Sequence, residues 1–258
     1  MIEIWNVMIS EWWGIVVICL VALTVWILLS ALLYRVFFKR FYDILLSGLA
    51  LIVLSPIMLL LIILGTIKMK GNPFFTQLRP GKNEKIFKLI KFRTMTCEKD
   101  ENGNYLPDEQ RLTRYGKILR STSLDELPEL INIFIGQMSI VGPRPLLVKD
   151  MVFMSDKVRK RHTIRGGLTG LAQVNGRNCI SWEDKFSFDL EYIKKITLFS
   201  DLRIILETLL KVVKRSDIVR DGTESDMDYG DWLLKQGIIT KEEYELKIIR
   251  AKTSTGGV

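Results

Sequence analysis

Two long apolar stretches occupy the beginning of the chain, and no charged residue interrupts either of them. The first, residues 14–34, would extend about 30 Å as a helix at about 1.5 Å per residue, which matches a bilayer core. Arg35, Lys39 and Arg40 follow it, and such cations favour the cytoplasmic side of a membrane. The pattern predicts an N-terminal transmembrane segment within residues 1–38, with its C-terminal end in the cytoplasm.

The second stretch, residues 44–67, has cationic residues on both sides. A spanning helix would put one basic flank outside, against the positive-inside tendency. Pro56 removes a helical hydrogen bond and biases Ser55 away from helix, so a break is predicted there, with the Ser55 hydroxyl serving a released carbonyl. We expect residues 39–70 to form a re-entrant helix–break–helix. A merely kinked transmembrane helix is the alternative.

From residue 71 onward, apolar runs shorten and turn signals multiply, as in a compact mixed α/β domain. This cytoplasmic domain is predicted to cover residues 71–220, and an appendage residues 221–258. The predicted elements are a strand over residues 86–95 and helices over residues 114–119, 124–135, 189–195 and 201–214. The last two are amphipathic. The apolar face of the final helix suits either core packing or a membrane interface, and consists of Leu202, Ile205, Leu206, Leu209, Leu210 and Val213.

The 258-residue chain is basic, with a net charge of +8 and an isoelectric point near 9.3. Nucleic acid, anionic lipid and phosphorylated substrates all attract such a surface, but the apolar stretches favour the last two, and no nucleic-acid partner is expected. The three widely spaced cysteines form neither a disulfide framework nor a zinc pattern. Because His162 is the only histidine, any metal would be bound by oxygen, as Mg²⁺ is.

Cationic residues crowd the segment from residue 79 to residue 93, where Glu84 is the only acid. On a strand, Lys91 and Arg93 share one face, which suits the binding of a diphosphate. A solvated basic surface is the alternative for each of these side chains. Further along, the two prolines around Arg144 present that side chain rigidly, either for phosphate binding or as part of a connector.

The segment from Ser123 to Leu127 begins a helix and holds two adjacent carboxylates, Asp125 and Glu126. Ser123 and Glu126 have the spacing of a capping box, which is the simpler interpretation. The same segment suits an active site, because a helix N-terminus also binds phosphate. An aspartate with an ordinary pKa near 4 is already ionised, so it needs no base to attack phosphorus, and it is a ligand for Mg²⁺.

Five motifs occur together in a characteristic order, and over residues 39–215 they resemble the monotopic phosphoglycosyl transferases of bacteria, the bacterial sugar transferase family. The motifs are Leu54-Ser55-Pro56, Lys91-Phe92-Arg93-Thr94-Met95, Ser123-Leu124-Asp125-Glu126-Leu127, Val141-Gly142-Pro143-Arg144-Pro145 and Gly170-Leu171-Ala172-Gln173-Val174-Asn175-Gly176-Arg177. The resemblance implies a membrane-associated α/β enzyme with its catalytic domain on the cytoplasmic face of the bacterial inner membrane. It also implies transfer of a sugar 1-phosphate from a UDP-sugar to polyprenyl (undecaprenyl) phosphate, with release of UMP. This step initiates glycoconjugate or polysaccharide assembly.

The resemblance further implies roles for particular residues. Asp125 would form a covalent phospho-sugar intermediate and help to hold Mg²⁺, Glu126 would complete the catalytic dyad, and Ser55 and Pro56 would form the membrane break. The candidates for phosphate or dyad contacts are Lys91, Arg93, Arg120, Pro143, Arg144 and Arg177. Downstream glycosyltransferases are further expected partners.

Two other functions fit part of the pattern. A catalytically silent membrane scaffold would bind nucleotide or anionic lipid and recruit later glycosyltransferases. A nucleic-acid-binding membrane protein is suggested by charge alone.

Overall fold

A computed structural model describes residues 2–176, 180–214 and 227–254. Its strands are β1 (Phe74–Pro80), β2 (Ile86–Phe92), β3 (Ser139–Val141) and β4 (Gly167–Thr169). Its α-helices are α1 (Ile2–Leu33), α2 (Lys39–Lys68), α3 (Asp108–Arg111), α4 (Arg114–Thr122), α5 (Glu129–Phe134), α6 (Val148–Met151), α7 (Asp156–Arg159), α8 (Leu171–Val174), α9 (Trp182–Lys194), α10 (Leu198–Lys214), α11 (Tyr229–Lys235) and α12 (Lys241–Ser254). A π-helical turn (Tyr34–Phe38) joins α1 to α2, and 3-10 turns lie at Lys82–Glu84, Leu124–Glu126 and Lys160–Thr163.

The strands form two small sheets. β1 and β2 are an antiparallel hairpin in which Phe74 pairs with Phe92, whereas β3 and β4 are parallel and Val141 pairs with Thr169. The predicted strand is confirmed as β2, and the mixed α/β character of the domain is confirmed with it. The predicted helix over residues 124–135 is divided into a 3-10 turn and α5, because Pro128 lacks an amide hydrogen and precedes the first residue of the new helix.

Helices α1 and α2 are long and apolar enough to cross a membrane by length and composition, over Trp12–Leu29 and Tyr34–Lys68. The indole nitrogen of Trp26 donates to the Tyr42 hydroxyl at 3.1 Å. On a straight helix these residues would be about 24 Å apart, at about 1.5 Å per residue. The chain therefore turns sharply at the π-helical segment between the two helices.

Helix α2 contacts the domain near its beginning through charged residues. The guanidinium of Arg40 donates to the carbonyls of Ile133 at 2.6 Å and Phe134 at 2.8 Å. These are end carbonyls of α5, so Arg40 caps that helix. Three residues later, the Asp43 carboxylate accepts hydrogen bonds from the Ser139 hydroxyl at 3.0 Å and the Ile140 amide at 2.9 Å, on β3. The basic flank therefore also organises the domain.

The second half of α2 also packs on the domain. Met58 and Leu61 are buried in one hydrophobic cluster with Phe92 of β2 and Leu119 of α4. The Tyr115 hydroxyl donates to the Leu61 carbonyl at 3.0 Å. Helix α2 therefore rests on the domain near both of its ends.

Pro56 lies within α2, whose helical backbone continues from Lys39 to Lys68. The predicted division into two helices is therefore wrong. The predicted repair is confirmed, because the Ser55 hydroxyl donates to the Ile52 carbonyl at 2.7 Å. That carbonyl lies four residues before Pro56 and would otherwise accept from the amide hydrogen that proline lacks. The re-entrant path itself stays a prediction.

The apolar face of α10 divides between the core and the surface. Ile204 is buried and Ile205 packs beside it, whereas Leu202, Leu206, Leu209 and Leu210 are exposed. Core packing is therefore the wrong explanation for these four leucines, and a membrane interface stays a prediction for them. The side chain of Val213 lies outside the part of the chain that the structure describes.

The C-terminal helices α11 and α12 pack onto the domain. Trp232 and Leu233 of α11 share a hydrophobic cluster with Leu146, Phe153 and Trp182. The Tyr229 amide donates to the Asp150 carboxylate at 3.0 Å. Part of the predicted appendage is therefore integrated with the domain, while residues 221–226, which hold most of its acidic patch, lie outside the described residues.

Candidate active site

The turn between α4 and α5 places the two candidate carboxylates. Thr113 caps the N-terminus of helix α4, and its hydroxyl accepts from the Gly116 amide at 2.9 Å. Ser123 follows the last residue of the helix and has left-handed backbone with φ of 55°. An N-cap residue needs extended backbone, so the predicted capping box at Ser123 and Glu126 is wrong. Instead, the Glu126 amide donates to the Ser123 carbonyl at 3.2 Å and closes the 3-10 turn.

Glu126 is held by two cations that come from different parts of the chain. Its Oε1 lies 2.8 Å from Nζ of Lys91 on β2 and also accepts from the Arg144 guanidinium. Burial alone would raise the pKa of Glu126, but Arg144 and Lys91 outweigh burial and lower this pKa well below its usual range. Glu126 also raises the pKa of Arg144. Glu126 therefore stays ionised, and the two cations balance its negative charge.

Lys91 also contacts Glu129 in the first turn of α5, with Nζ 3.0 Å from Oε1. Burial, followed by the charge of Glu126, raises the pKa of Glu129. The position of β2 against α5 is set by Asn132, whose side chain donates to the Lys88 carbonyl at 2.8 Å and accepts from the Ile90 amide at 3.0 Å. This buried amide completes the hydrogen bonding of the β2 edge and holds Lys91 beside both glutamates.

Asp125 differs from its neighbour. Within the described part of the chain, its carboxylate makes no hydrogen bond or ion pair. Burial raises the pKa of Asp125, and the charge of Glu126 raises it further, whereas Lys91, Arg144 and Arg120 oppose the shift. The arrangement holds one neutralised carboxylate next to one unpaired carboxylate in a cationic field. Such a carboxylate can act as a nucleophile or as a metal ligand.

The structure brings together most of the predicted site residues. Lys91, Arg120 and Arg144 surround the two acids, and the Arg120 side chain is fixed by the Thr94 hydroxyl at 3.1 Å. Pro143 contributes only its backbone, and its carbonyl accepts from the Gly167 amide at 3.0 Å.

The other four predicted residues are Arg93, Ser55, Pro56 and Arg177. Arg93 reaches the Phe74 carbonyl at 3.5 Å and contacts neither carboxylate within the described residues. Ser55 and Pro56 lie on α2, as the membrane role requires, and Arg177 lies outside the described residues.

Sequence reasoning missed two members of the site. Glu129 is almost fully buried and shares Lys91 with Glu126; the only signal was its spacing of three residues from Glu126. Arg79 was noted only as one of the basic cluster. Together with Lys91, Glu129 and Arg144, it lines a small cavity beside the carboxylates. Burial and then Arg144 lower the pKa of Arg79 to about 10.

The donor set for a metal ion is limited. Within residues 2–176, 180–214 and 227–254, no group of three or more His, Cys, Asp or Glu side chains is arranged to hold a metal. Because Lys91 and Arg144 form ion pairs with Glu126, Asp125 is the remaining carboxylate of the pair that can bind a cation such as Mg²⁺. Mg²⁺ commonly takes one or two protein carboxylates and completes its shell with water and substrate phosphates, so this donor chemistry suits it.

Residues 34–215 match the bacterial sugar transferase family. The chain is 46% identical over 175 residues to an uncharacterized sugar transferase, EpsL, of Bacillus subtilis; the match covers 68% of this chain and 87% of that protein. It is 38% identical over 194 residues to the exopolysaccharide production protein ExoY of Sinorhizobium fredii, covering 66% of this chain and 83% of ExoY.

A longer relative is named for a reaction. The UDP-glucose:undecaprenyl-phosphate glucose-1-phosphate transferase of Klebsiella pneumoniae is 39% identical over 184 residues, which cover 67% of this chain and 40% of that protein. The similarity therefore concerns one part of the Klebsiella protein.

Proposed function

The chain belongs to the bacterial sugar transferase family, and on that premise we propose that it transfers a sugar 1-phosphate from a UDP-sugar to undecaprenyl phosphate. The Klebsiella relative is named for this type of reaction. The observation that carries the proposal is the carboxylate of Asp125, unpaired within the described part of the chain, beside the neutralised Glu126. Of the two adjacent acids, Asp125 is the one free to attack.

The reaction has two displacement steps at one phosphorus atom. In the first, an oxygen of Asp125 attacks the β-phosphorus of the UDP-sugar, and the bond from this phosphorus to the bridging oxygen breaks. UMP leaves with the electron pair, and the sugar phosphate remains on Asp125. In the second, an oxygen of undecaprenyl phosphate attacks the same phosphorus, the bond to Asp125 breaks, and a lipid diphosphate sugar is released.

The cations around the carboxylates supply most of the electrostatics. Asp125 has to be ionised to attack, and Lys91, Arg144 and Arg120 oppose the burial that would protonate it. Lys91 and Arg144 also keep Glu126 ionised, which fixes both cations beside the acids. A preorganised positive cluster stabilises the charge that develops on phosphate oxygens during transfer. Arg79, which lines the adjoining cavity, adds to this field.

Mg²⁺ is the proposed cofactor, and Asp125 is the residue that would hold it. When bound, it would neutralise the diphosphate and stabilise the leaving phosphate. Asp125 suits this role because, within the described residues, its carboxylate makes no hydrogen bond or ion pair, and nearby cations oppose the burial that raises its pKa. Glu126 and Glu129 are less suitable ligands because Lys91 already contacts both.

We also propose that α2 re-enters the membrane, so that the domain stays on the cytoplasmic face. Arg40 and Leu61 both contact the domain. Along a straight helix they would be separated by about 30 Å, the thickness of a bilayer core. If α2 spanned the membrane, Arg40 and Leu61 would lie at opposite faces of the bilayer, and one domain could not contact both. Re-entry keeps the soluble nucleotide sugar and the lipid phosphate within reach of Asp125, and the exposed leucines of α10 would lie at the interface.

The decisive experiment uses the full-length protein in lipid nanodiscs with Mg²⁺, undecaprenyl phosphate and a panel of UDP-sugars. We expect UMP release with at least one sugar. Without the lipid acceptor, we expect one equivalent of UMP and a protein mass increased by one sugar phosphate on Asp125. Asp125→Asn should give neither product, whereas the exposed Asp108→Asn on α3 serves as the matched control.

The outcomes separate the proposal from the scaffold hypothesis. A folded wild-type protein that binds the nucleotide but releases no UMP with any sugar would support the scaffold. Full activity in Asp125→Asn would exclude this residue as the nucleophile.

A further inference from the structure

The loop after β3 carries Arg144 between two prolines, and its backbone is held mainly through its carbonyl groups. Residues 143–145 read Pro-Arg-Pro, so two of the three positions have no amide hydrogen to donate. The carbonyls are therefore the main attachment points, and each is occupied. The first, on Pro143, accepts from the Gly167 amide at 3.0 Å.

The other two carbonyls accept from arginine side chains. Nη2 of Arg161 donates to the Arg144 carbonyl at 2.7 Å, and Nη1 of Arg79 donates to the Pro145 carbonyl at 3.2 Å. The shorter bond holds the residue whose side chain neutralises Glu126. Arg161 thus contacts the backbone of Arg144 while touching neither carboxylate of the site within the described residues.

Arg161 is among the most deeply buried side chains, with 2% of its surface exposed. Its charge is matched by Asp189 of α9, also 2% exposed, whose Oδ2 accepts from Nε at 2.9 Å and from Nη2 at 2.7 Å. A buried ion pair contributes little to stability compared with well-packed apolar residues of the same volume. The pair instead fixes an orientation, because Asp189 holds the Arg161 guanidinium in the position from which it donates to the Arg144 carbonyl.

We infer that Arg161, oriented by Asp189, is a positioning residue for Arg144 in the proposed transfer reaction. The role rests on the proposed function, since Arg144 acts on the two carboxylates of that site. If Arg161 no longer holds the loop, the Arg144 guanidinium moves away from Glu126. The carboxylates then lose a cation that balances their negative charge.

The substitution that tests this inference is Arg161→Lys, which keeps the charge opposite Asp189 but removes the planar fork. The matched control is Arg159→Lys, from the same segment, whose ion pair is made with Glu84 instead of Asp189. Both proteins are kept full-length in nanodiscs. The first readout is hydrogen–deuterium exchange of the peptide covering residues 142–147. We expect faster exchange in that peptide for Arg161→Lys and no change there for Arg159→Lys.

The second readout is UMP release in a double-mutant cycle. We expect Arg161→Lys to slow release about tenfold. In the Arg144→Gln background the same substitution should have no further effect. A loss that multiplies with that of Arg144→Gln would overturn the inference.

The two readouts separate this inference from the proposed function. If the wild-type protein releases no UMP, the proposed function fails, and the exchange experiment still decides whether Arg161 holds the Arg144 loop. If Arg161→Lys does not fold, Asp189→Asn takes its place with the same expected exchange and the same expected coupling to Arg144→Gln. Failure of both variants to fold would assign the pair to global stability and overturn the positioning role.

Discussion

Nζ of Lys91 lies 2.8 Å from Oε1 of Glu126, and this ion pair joins β2 to the turn that carries the candidate nucleophile. The two residues are 35 positions apart in the sequence. The same ammonium group lies 3.0 Å from Glu129, so one cation balances two acids in a confined space. Removal of Lys91 therefore leaves the site with an excess of negative charge.

Lys91→Met is expected to slow UMP release about 100-fold, because one charge-stabilising group of a preorganised site contributes on that order. The loss of this cation also raises the pKa of Asp125, which Lys91 normally lowers. Activity needs the ionised carboxylate, so the acid limb of the pH–rate profile should move to higher pH. Single-turnover UMP release between acidic and neutral pH measures both effects.

The control for this substitution is Lys88→Met, on the same strand but with an exposed side chain. It should keep the wild-type rate and pH profile. Equal losses in the two variants would contradict a specific role for Lys91.

Glu126→Gln should move the acid limb in the opposite direction. After burial, the charge of Glu126 is the main cause that raises the pKa of Asp125. Glutamine removes this negative neighbour and leaves Lys91 and Arg144 beside Asp125. The pKa of Asp125 then falls, so the ionised nucleophile persists to lower pH. A limb that moves to higher pH in this variant would be evidence against the electrostatic account.

The re-entrant path predicts that both ends of α2 are accessible from the cytoplasm only. Single cysteines at Arg35 and Lys70, introduced into a chain without its other cysteines, should react with an impermeant maleimide only after the cells are permeabilised. A separate variant that keeps only the native Cys97, which is exposed on the catalytic domain, provides the cytoplasmic reference. Labelling of position 70 from outside intact cells would establish a spanning helix instead.

The docking of α11 and α12 is expected to depend on packing more than on charge. Trp232 is buried in the cluster that includes Leu146, so Trp232→Ala should cost about 3–5 kcal/mol and release these helices. Lys149 pairs with Asp228 at 2.5 Å but is partly exposed, so Lys149→Met should cost only about 0.5–1 kcal/mol. Limited proteolysis and hydrogen exchange of residues 227–254 measure the release.

A surface substitution on the same helices, Leu246→Ala, serves as the control because this leucine is 60% exposed. It should leave the protection of residues 227–254 unchanged. If Lys149→Met opened the segment as fully as Trp232→Ala, ion pairing would be the dominant contribution.

Local sequence signals predicted several elements but misjudged the turn at the site. The β2 strand followed from its residues, and the hydroxyl of Ser55 bonds the carbonyl released by Pro56, as expected. The predicted capping box at Ser123 is wrong because the same residue spacing occurs here at the C-terminal end of α4. Only the left-handed φ of Ser123 distinguishes the two cases, and packing of α4 against the domain selects it.

The exposed leucines of α10 illustrate the same limit. Their helical spacing predicts one apolar face, but spacing does not say what covers it. The structure buries Ile204 and leaves Leu206 and Leu209 exposed, because the domain contacts only one edge of that face.

By itself, the sequence determined the two apolar helices, their basic flanks, the mixed α/β domain and the adjacent pair of acids. These features depend on local composition and spacing, which the chain carries before it folds. The tertiary structure decided which acid is neutralised, because electrostatic energy depends on distance and burial. Lys91 and Arg144 come from separate segments to Glu126, while Asp125 has no ion-pair partner among the residues that the structure describes. The roles of Glu129 and Arg161 could not be predicted from the sequence for the same reason, because both depend on contacts with residues of other segments.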